Sequence, residues 1–153
     1  MKKLVFISAI GIALTCTALA HKGHEHATGV VRERMDLMED MGTRLLAISK
    51  RLRTNKELDS IAPDARAIHE MAGQITSKFP PGSTQSPTAA KPAVWQQWPD
   101  FSEKAKALEA QAEKFAAMST ADGKALRDQF RAVGLACDRC HETYRVPKGN
   151  AAH

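Results

Sequence analysis

Apolar residues recur at intervals of three and four through four stretches of the chain, the spacing that lines one face of an α-helix. In the first stretch Arg34, Met38, Met41, Leu45, Ile48 and Leu52 share a face. The second carries Leu58, Ile61, Ala65, Ile68, Ala72 and Ile75, with Thr54 and Glu57 spaced ahead of it as a capping box. Phe101, Ala105, Leu108, Ala112 and Phe115 make the third, with Asp100 and Glu103 at its start. The fourth carries Leu126, Phe130, Val133, Cys137, Cys140 and Tyr144, and opens near Ser119 and Asp122. No strand-like alternation of any length interrupts the pattern, and no internal repeat is found. One connection is long, Pro80 to Trp98, and it is rich in Pro, Gly, Ser and Thr. Short links elsewhere favour antiparallel neighbours. The predicted fold is all-α, an antiparallel up-down-up-down four-helix bundle.

Ahead of these segments lies a stretch of another kind. Met1-Lys2-Lys3 is basic, Leu4 to Ala20 is mostly apolar, and Ala18-Leu19-Ala20 offers an A-x-A cleavage site. This reads as a secretory signal peptide, residues 1–20, cut after Ala20. The apolar run is short for a membrane span, so no stable membrane insertion is expected. A lipid on Cys16 is the competing reading, but Thr15 and Thr17 beside it fit a lipoprotein site poorly. Cleavage takes two lysines and no acid. Lys plus Arg falls from 22 to 20 against 17 acids, and the formal charge from +5 to +3. That balance, with no basic run interleaved with aromatics, argues against a nucleic-acid partner. Residues 21–153 are long enough for one domain with a core of its own.

Two cysteines remain, and both lie in Cys137-Asp138-Arg139-Cys140-His141. C-x-x-C-H is the attachment signature of a c-type haem. Each thiol adds across a vinyl group to give a thioether, and the histidine supplies an iron ligand. On a helix the three residues fall at i, i+3 and i+4, one face. A redox C-x-x-C would sit near a βαβ pattern, which is missing here. A zinc site would need a further ligand. The fourth segment is therefore expected to carry one covalent haem c, with Cys137 and Cys140 as anchors and His141 as proximal ligand. The haem cysteines continue the apolar stripe, so the macrocycle must enter the core. Export supports this reading, because c-type haem is attached outside the bacterial cytoplasm.

The chain resembles the class II cytochromes c, the cytochrome c prime family. The resemblance rests on the late C-x-x-C-H followed by Tyr144-Arg145, on Arg34-x-x-x-Met38, and on Phe79-Pro80-Pro81-Gly82-Ser83. Lys91-Pro92-Ala93-Val94-Trp95 and Phe101 add to it. It covers nearly all of the mature chain. It implies a four-helix bundle with the haem at one end, in the bacterial periplasm, often as a homodimer.

That class divides at the sixth iron position. Cytochromes c prime keep an apolar, non-coordinating residue there, and their five-coordinate iron binds NO or CO. Low-spin relatives use a methionine of the first helix and carry electrons. This chain has Met35, Met38 and Met41 in that helix. In an up-down-up-down bundle the first helix starts where the fourth ends, so the partner of His141 belongs in its early turns. Met38 meets that condition and lies on the core stripe. Met35 sits at the stripe's edge, and Met41 is roughly 4.5 Å deeper at 1.5 Å rise per residue. The family resemblance also places Met38 at the distal position. The alternative for all three is core filling, which methionine does readily.

Arg34 is expected near the haem edge, where its guanidinium could pair with a propionate; the alternative is a solvated helix arginine. Arg145 could act similarly, or simply favour the helix end. Trp95 and Trp98 are expected to pin the long connection to the bundle, and Phe101 and Tyr144 to be core. His21, His24 and His26 open the mature chain and are read as a polar tail rather than a metal site. No nucleophile or acid pair is evident, so no enzyme is expected. The expected function is a periplasmic one-electron carrier serving periplasmic redox proteins, with gas binding at a five-coordinate iron as the alternative.

Overall fold

The computed structural model describes residues 26–118 and 123–147. The signal peptide with its cleavage site, His21 and His24, the helix start near Ser119 and Asp122, and the tail beyond Pro147 lie outside the described residues. Among the described residues five α-helices follow one another: α1 Gly29–Thr54, α2 Ile61–Gly73, α3 Ala93–Gln96, α4 Trp98–Ala116 and α5 Gly123–Tyr144. α1, α2, α4 and α5 are the four predicted helices, and they form a four-helix bundle. α3 is a single turn inside the long connection. Among the described residues the only β pairing is an isolated bridge between Ala90 and Arg145.

Local chemistry sets the boundaries. α1 stops at Asn55, which takes the left-handed conformation (φ 51°) and donates its N–H to Arg51 O. Asn tolerates that region better than most residues, and the bond satisfies a carbonyl orphaned at the helix end. The capping box expected of Thr54 and Glu57 does not form. Thr54 is the last residue of α1, and its hydroxyl donates back to Lys50 O at 3.0 Å. A box needs its threonine outside a helix, and the final turn of α1 has claimed this one. The chain turns again at Glu57 (φ 55°), passes a 3-10 turn at Leu58–Ser60 and enters α2. α4 begins earlier than predicted, with Pro99 in its first turn, where a missing N–H costs nothing.

α2 packs along α4, α4 along α5, and α1 against α2, while α1 and α5 touch each other sparsely. Ile48, Ile61, Ile68, Phe115, Leu126 and Val133 fill the middle and are all but inaccessible. Each such side chain contributes roughly 1.5–3 kcal/mol by burial. The stripe of α4 is buried as read: Phe101, Ala105, Leu108, Ala112 and Phe115. On α1 the stripe is displaced. Val31 and Leu37 are buried, whereas Met38 and Leu45 are half-buried, though packed against the core. On α5, Ala136 is buried while Phe130, Cys137 and Cys140 stay half-buried against the core. α1 seals the flank it turns to α2 and leaves the other flank partly open.

The two ends of the bundle can be told apart. At one end the C-terminus of α1 meets the start of α5: a Cβ added to Gly123 would stand 2.9 Å from Asn55 Oδ1. Any larger residue there would have to displace the Asn55 side chain. At the other end the start of α1 and the finish of α5 are joined through the long connection.

Candidate haem site

α5 is continuous through Tyr144, so Cys137, Cys140 and His141 stand at i, i+3 and i+4 on one face, as the spacing predicts. Both cysteines are half-buried at the flank of the core. Burial pushes each thiol up to about 11, with the Asp138 charge adding at Cys137 and Lys104 opposing at Cys140. His141 is half-exposed and lines a surface depression with Asp138, Glu142 and Arg145.

Around this face the end of the bundle is aromatic. Tyr144, one turn beyond Cys140, stands edge-on to Phe101 at 5.3 Å between ring centres, and Phe101 is edge-on to Phe79 at 4.9 Å. Trp95 tilts against Phe79 and donates its indole N–H to the carbonyls of Phe79 (3.1 Å) and Pro80 (3.0 Å). It pins the connection, as expected. Trp98 packs on Phe101 and remains partly exposed. Tyr144 and Phe101 are core residues, and the Tyr144 hydroxyl donates to Asp100 Oδ2 at 2.5 Å. That bond, foremost, draws Asp100 below the usual carboxylate value.

Arg34 is not a solvated arginine. It is 3 % exposed and lies under the connection. Nη1 donates to Ser83 Oγ (3.1 Å), and Nη2 to Ser83 O (2.8 Å) and Thr88 Oγ1 (2.7 Å). Its guanidinium carbon stands 5.0 Å from the Phe79 ring centre and 5.9 Å from that of Trp95. All three acceptors are neutral, so a buried positive charge sits at this end of the bundle, and burial lowers its pKa. Beyond Thr88 the connection pairs with the finish of α5. Val146 N–H donates to Ala89 O (2.8 Å), and Lys91 N–H to Tyr144 O (2.9 Å). Arg34 and Tyr144 thus belong to one end.

The three methionines separate. Met41 is sealed in the core; Met35 is half-exposed and outside the core cluster; Met38 touches the core without being enclosed by it. Met38, Leu45, Phe130, Cys137 and Cys140 are apolar side chains that the protein covers only in part, on the two helices that meet sparsely. A flat apolar macrocycle with charged edges suits such a flank beside a buried arginine. The residues fit a haem.

A model of the family described as cytochrome C' matches residues 29–145. The chain belongs to that family, the class II cytochromes c. It is similar to cytochrome c-556 of Agrobacterium tumefaciens (strain II Chrys), with 34% identity over 122 residues, 78% of this chain and 99% of the relative. Among solved structures it is similar to cytochrome c' from Thermochromatium tepidum, at 25% identity and a TM-score of 0.73. That match covers 77% of this chain and 95% of the other. It is also similar to a cytochrome c' with a ligand-controlled dimer dissociation, at 25% identity and a TM-score of 0.72, over the same shares of the two chains. This class II cytochrome is a monohaem c-type cytochrome, and as in its family the haem c is bound covalently.

Residues that pattern reading passed over are Ser83, Thr88 and Asp100. Ser83 and Thr88 carry no periodic signal in a loop, and Asp100 reads only as a helix start. Their roles come from partners 49, 54 and 44 positions away.

Proposed function

We propose that this cytochrome is a one-electron carrier, with Cys137 and Cys140 as the thioether anchors, His141 as proximal ligand and Met38 as distal ligand. The observation that carries the reading is the position of Met38. It is four residues beyond an Arg34 tied to the α5 end of the bundle, on the partly open flank of α1. The haem supplies an iron that gains and loses one electron. The chain holds it, keeps water from most of it and sets its potential. A thioether opposite imidazole raises that potential. Arg34 retains N–H groups beyond the three it spends on the connection, and we read one of them as directed to a propionate. We read the chain as a carrier rather than an enzyme, exported to the periplasm after cleavage at Ala20. Its partners would be periplasmic redox proteins and a second copy of itself. The dimer of one similar cytochrome c' supports the last point.

A second reading has support too. The similar solved structures are cytochromes c', so a five-coordinate iron that binds NO or CO is the competing function. An optical spectrum separates the two. Wild type should be low-spin, with a weak ferric methionine–iron band at the red edge of the visible. Met38→Ala should be high-spin and bind CO readily. A wild type already high-spin and open to CO would replace the carrier with the gas binder. The mass of the periplasmic protein after acid–acetone treatment should be that of residues 21–153 plus one haem. Release of the haem would remove the thioether assignment.

A further inference from the structure

The connection between α2 and α4 has two moorings that its sequence does not announce. One is on α1, through the Arg34 guanidinium to Ser83 and Thr88. The other is on the finish of α5, through Ala89 and Lys91 to Val146 and Tyr144, with Lys91 Nζ donating to Glu142 O at 3.1 Å. Between the moorings the strap is locked to itself. Ser83 Oγ, 4 % exposed in its residue, donates to Pro80 O (2.8 Å) while accepting from Arg34, and Thr88 Oγ1 also accepts from Ala90 N–H (3.1 Å). α1 and α5 meet each other only sparsely. The strap is thus a polar bridge between the two helices at this end.

We propose that the strap 80–91, clasped by Arg34, is the positioning device for the distal ligand. Ser83 and Thr88 act through Arg34 to hold the first turns of α1 where Met38 can stay bonded. The inference rests on Met38 ligation. Arg34 is one helical turn before Met38, and Tyr144 follows His141 by three residues, so each mooring is within a turn of one axial position. Loosening the clasp would not remove the thioether sulfur. It would let α1 shift, raise the population with an open iron and turn a carrier toward a gas binder. Ser83 and Thr88 are then positioning residues, and the two functions of this class lie one clasp apart.

The test is Ser83→Ala with Thr88→Val, read on the haem-loaded protein beside wild type and the conservative variant Thr88→Ser. Met38, Arg34 and the haem motif stay intact. Expected in the double variant are a weaker ferric methionine–iron band, a lower reduction potential and CO binding faster by about tenfold or more. Two hydrogen bonds to a buried charge are lost, and each is worth about a factor of ten. Thr88→Ser should restore the wild-type band. If the double variant does not accumulate with haem, Thr88→Val alone gives the same comparison with roughly half the effect on a logarithmic scale. A wild type that is five-coordinate from the outset overturns the ligation reading itself. A low-spin wild type with variants that lose thermal stability but keep band, potential and CO rate overturns the strap proposal alone.

Discussion

At the residue scale, three methionines in one helix stand in three different surroundings. Met41 is 5 % exposed inside the core cluster. Met41→Ala removes three heavy atoms from a packed site and should cost about 2–4 kcal/mol in chemical denaturation while leaving the low-spin spectrum in place. Met35 lies outside that cluster, half-exposed, and Met35→Ala should stay within about 0.5 kcal/mol of wild type with the same spectrum. Coordination lost in either variant, with Met38→Ala unaffected, would move the distal ligand to another turn of α1. Arg34 shows the same dependence on context. Its place in the helix pattern allows either a surface or a propionate role. Burial beneath Phe79 and Trp95 removes the surface one.

Elements are held to one another by a few polar contacts at their edges, and α1 and α2 share the plainest of them. Asp64 on α2 accepts from Arg44 Nη1 at 2.9 Å and from Arg51 Nη1 at 2.5 Å, both on α1. One carboxylate between two guanidinium groups keeps like charges apart at a partly buried seam. Asp64→Ala should cost about 1–3 kcal/mol, because it leaves both cations facing each other; Asp64→Glu should recover part of it. An unchanged midpoint would mean that the seam is held by Ile48, Ile61 and Ile68 alone. Neither arginine is distinguished in the helix pattern, and this marks what periodicity could and could not reveal. The four helices and the haem motif are legible because they are local, three- and four-residue signals. On α4 the spacing names each buried residue of the stripe. On α1 the same spacing favoured Met38 and Leu45 over Leu37, since periodicity gives a face but not which flank a neighbour covers. The moorings of the strap are illegible for a stronger reason: they join positions about fifty residues apart, at one end through loop hydroxyls and at the other through backbone groups.

For the whole molecule, the contact that links the ends of α4 and α5 makes stability depend on alkaline pH in a definable window. Tyr144 is buried, and its phenol is pushed up to about 12 from an ordinary value of 10, by burial first and then by its bond to the Asp100 carboxylate. The folded chain thus keeps this proton where the unfolded chain has begun to lose it. Such a group contributes stability in full below pH 10, and the contribution drains away as pH rises toward 12. Asp100 works in the opposite direction. Its folded pKa is lowered, so its share is present above the usual 3.8 and is lost in acid. Both limbs belong to one hydrogen bond between α4 and α5. Tyr144→Phe removes that bond while keeping the ring against Phe101, and at pH 7 it should lower the denaturant midpoint. The loss should shrink as pH rises from 10 toward 12, and shrink again below pH 4. The haem-loaded protein is the form to use, because thioether formation at the proposed anchors removes thiols that would titrate in the same range. Denaturant midpoints at one-unit steps of pH give both limbs. A gap between wild type and variant that stays constant from pH 7 to 12 would mean that the Tyr144 phenol is not held in its protonated form by the fold.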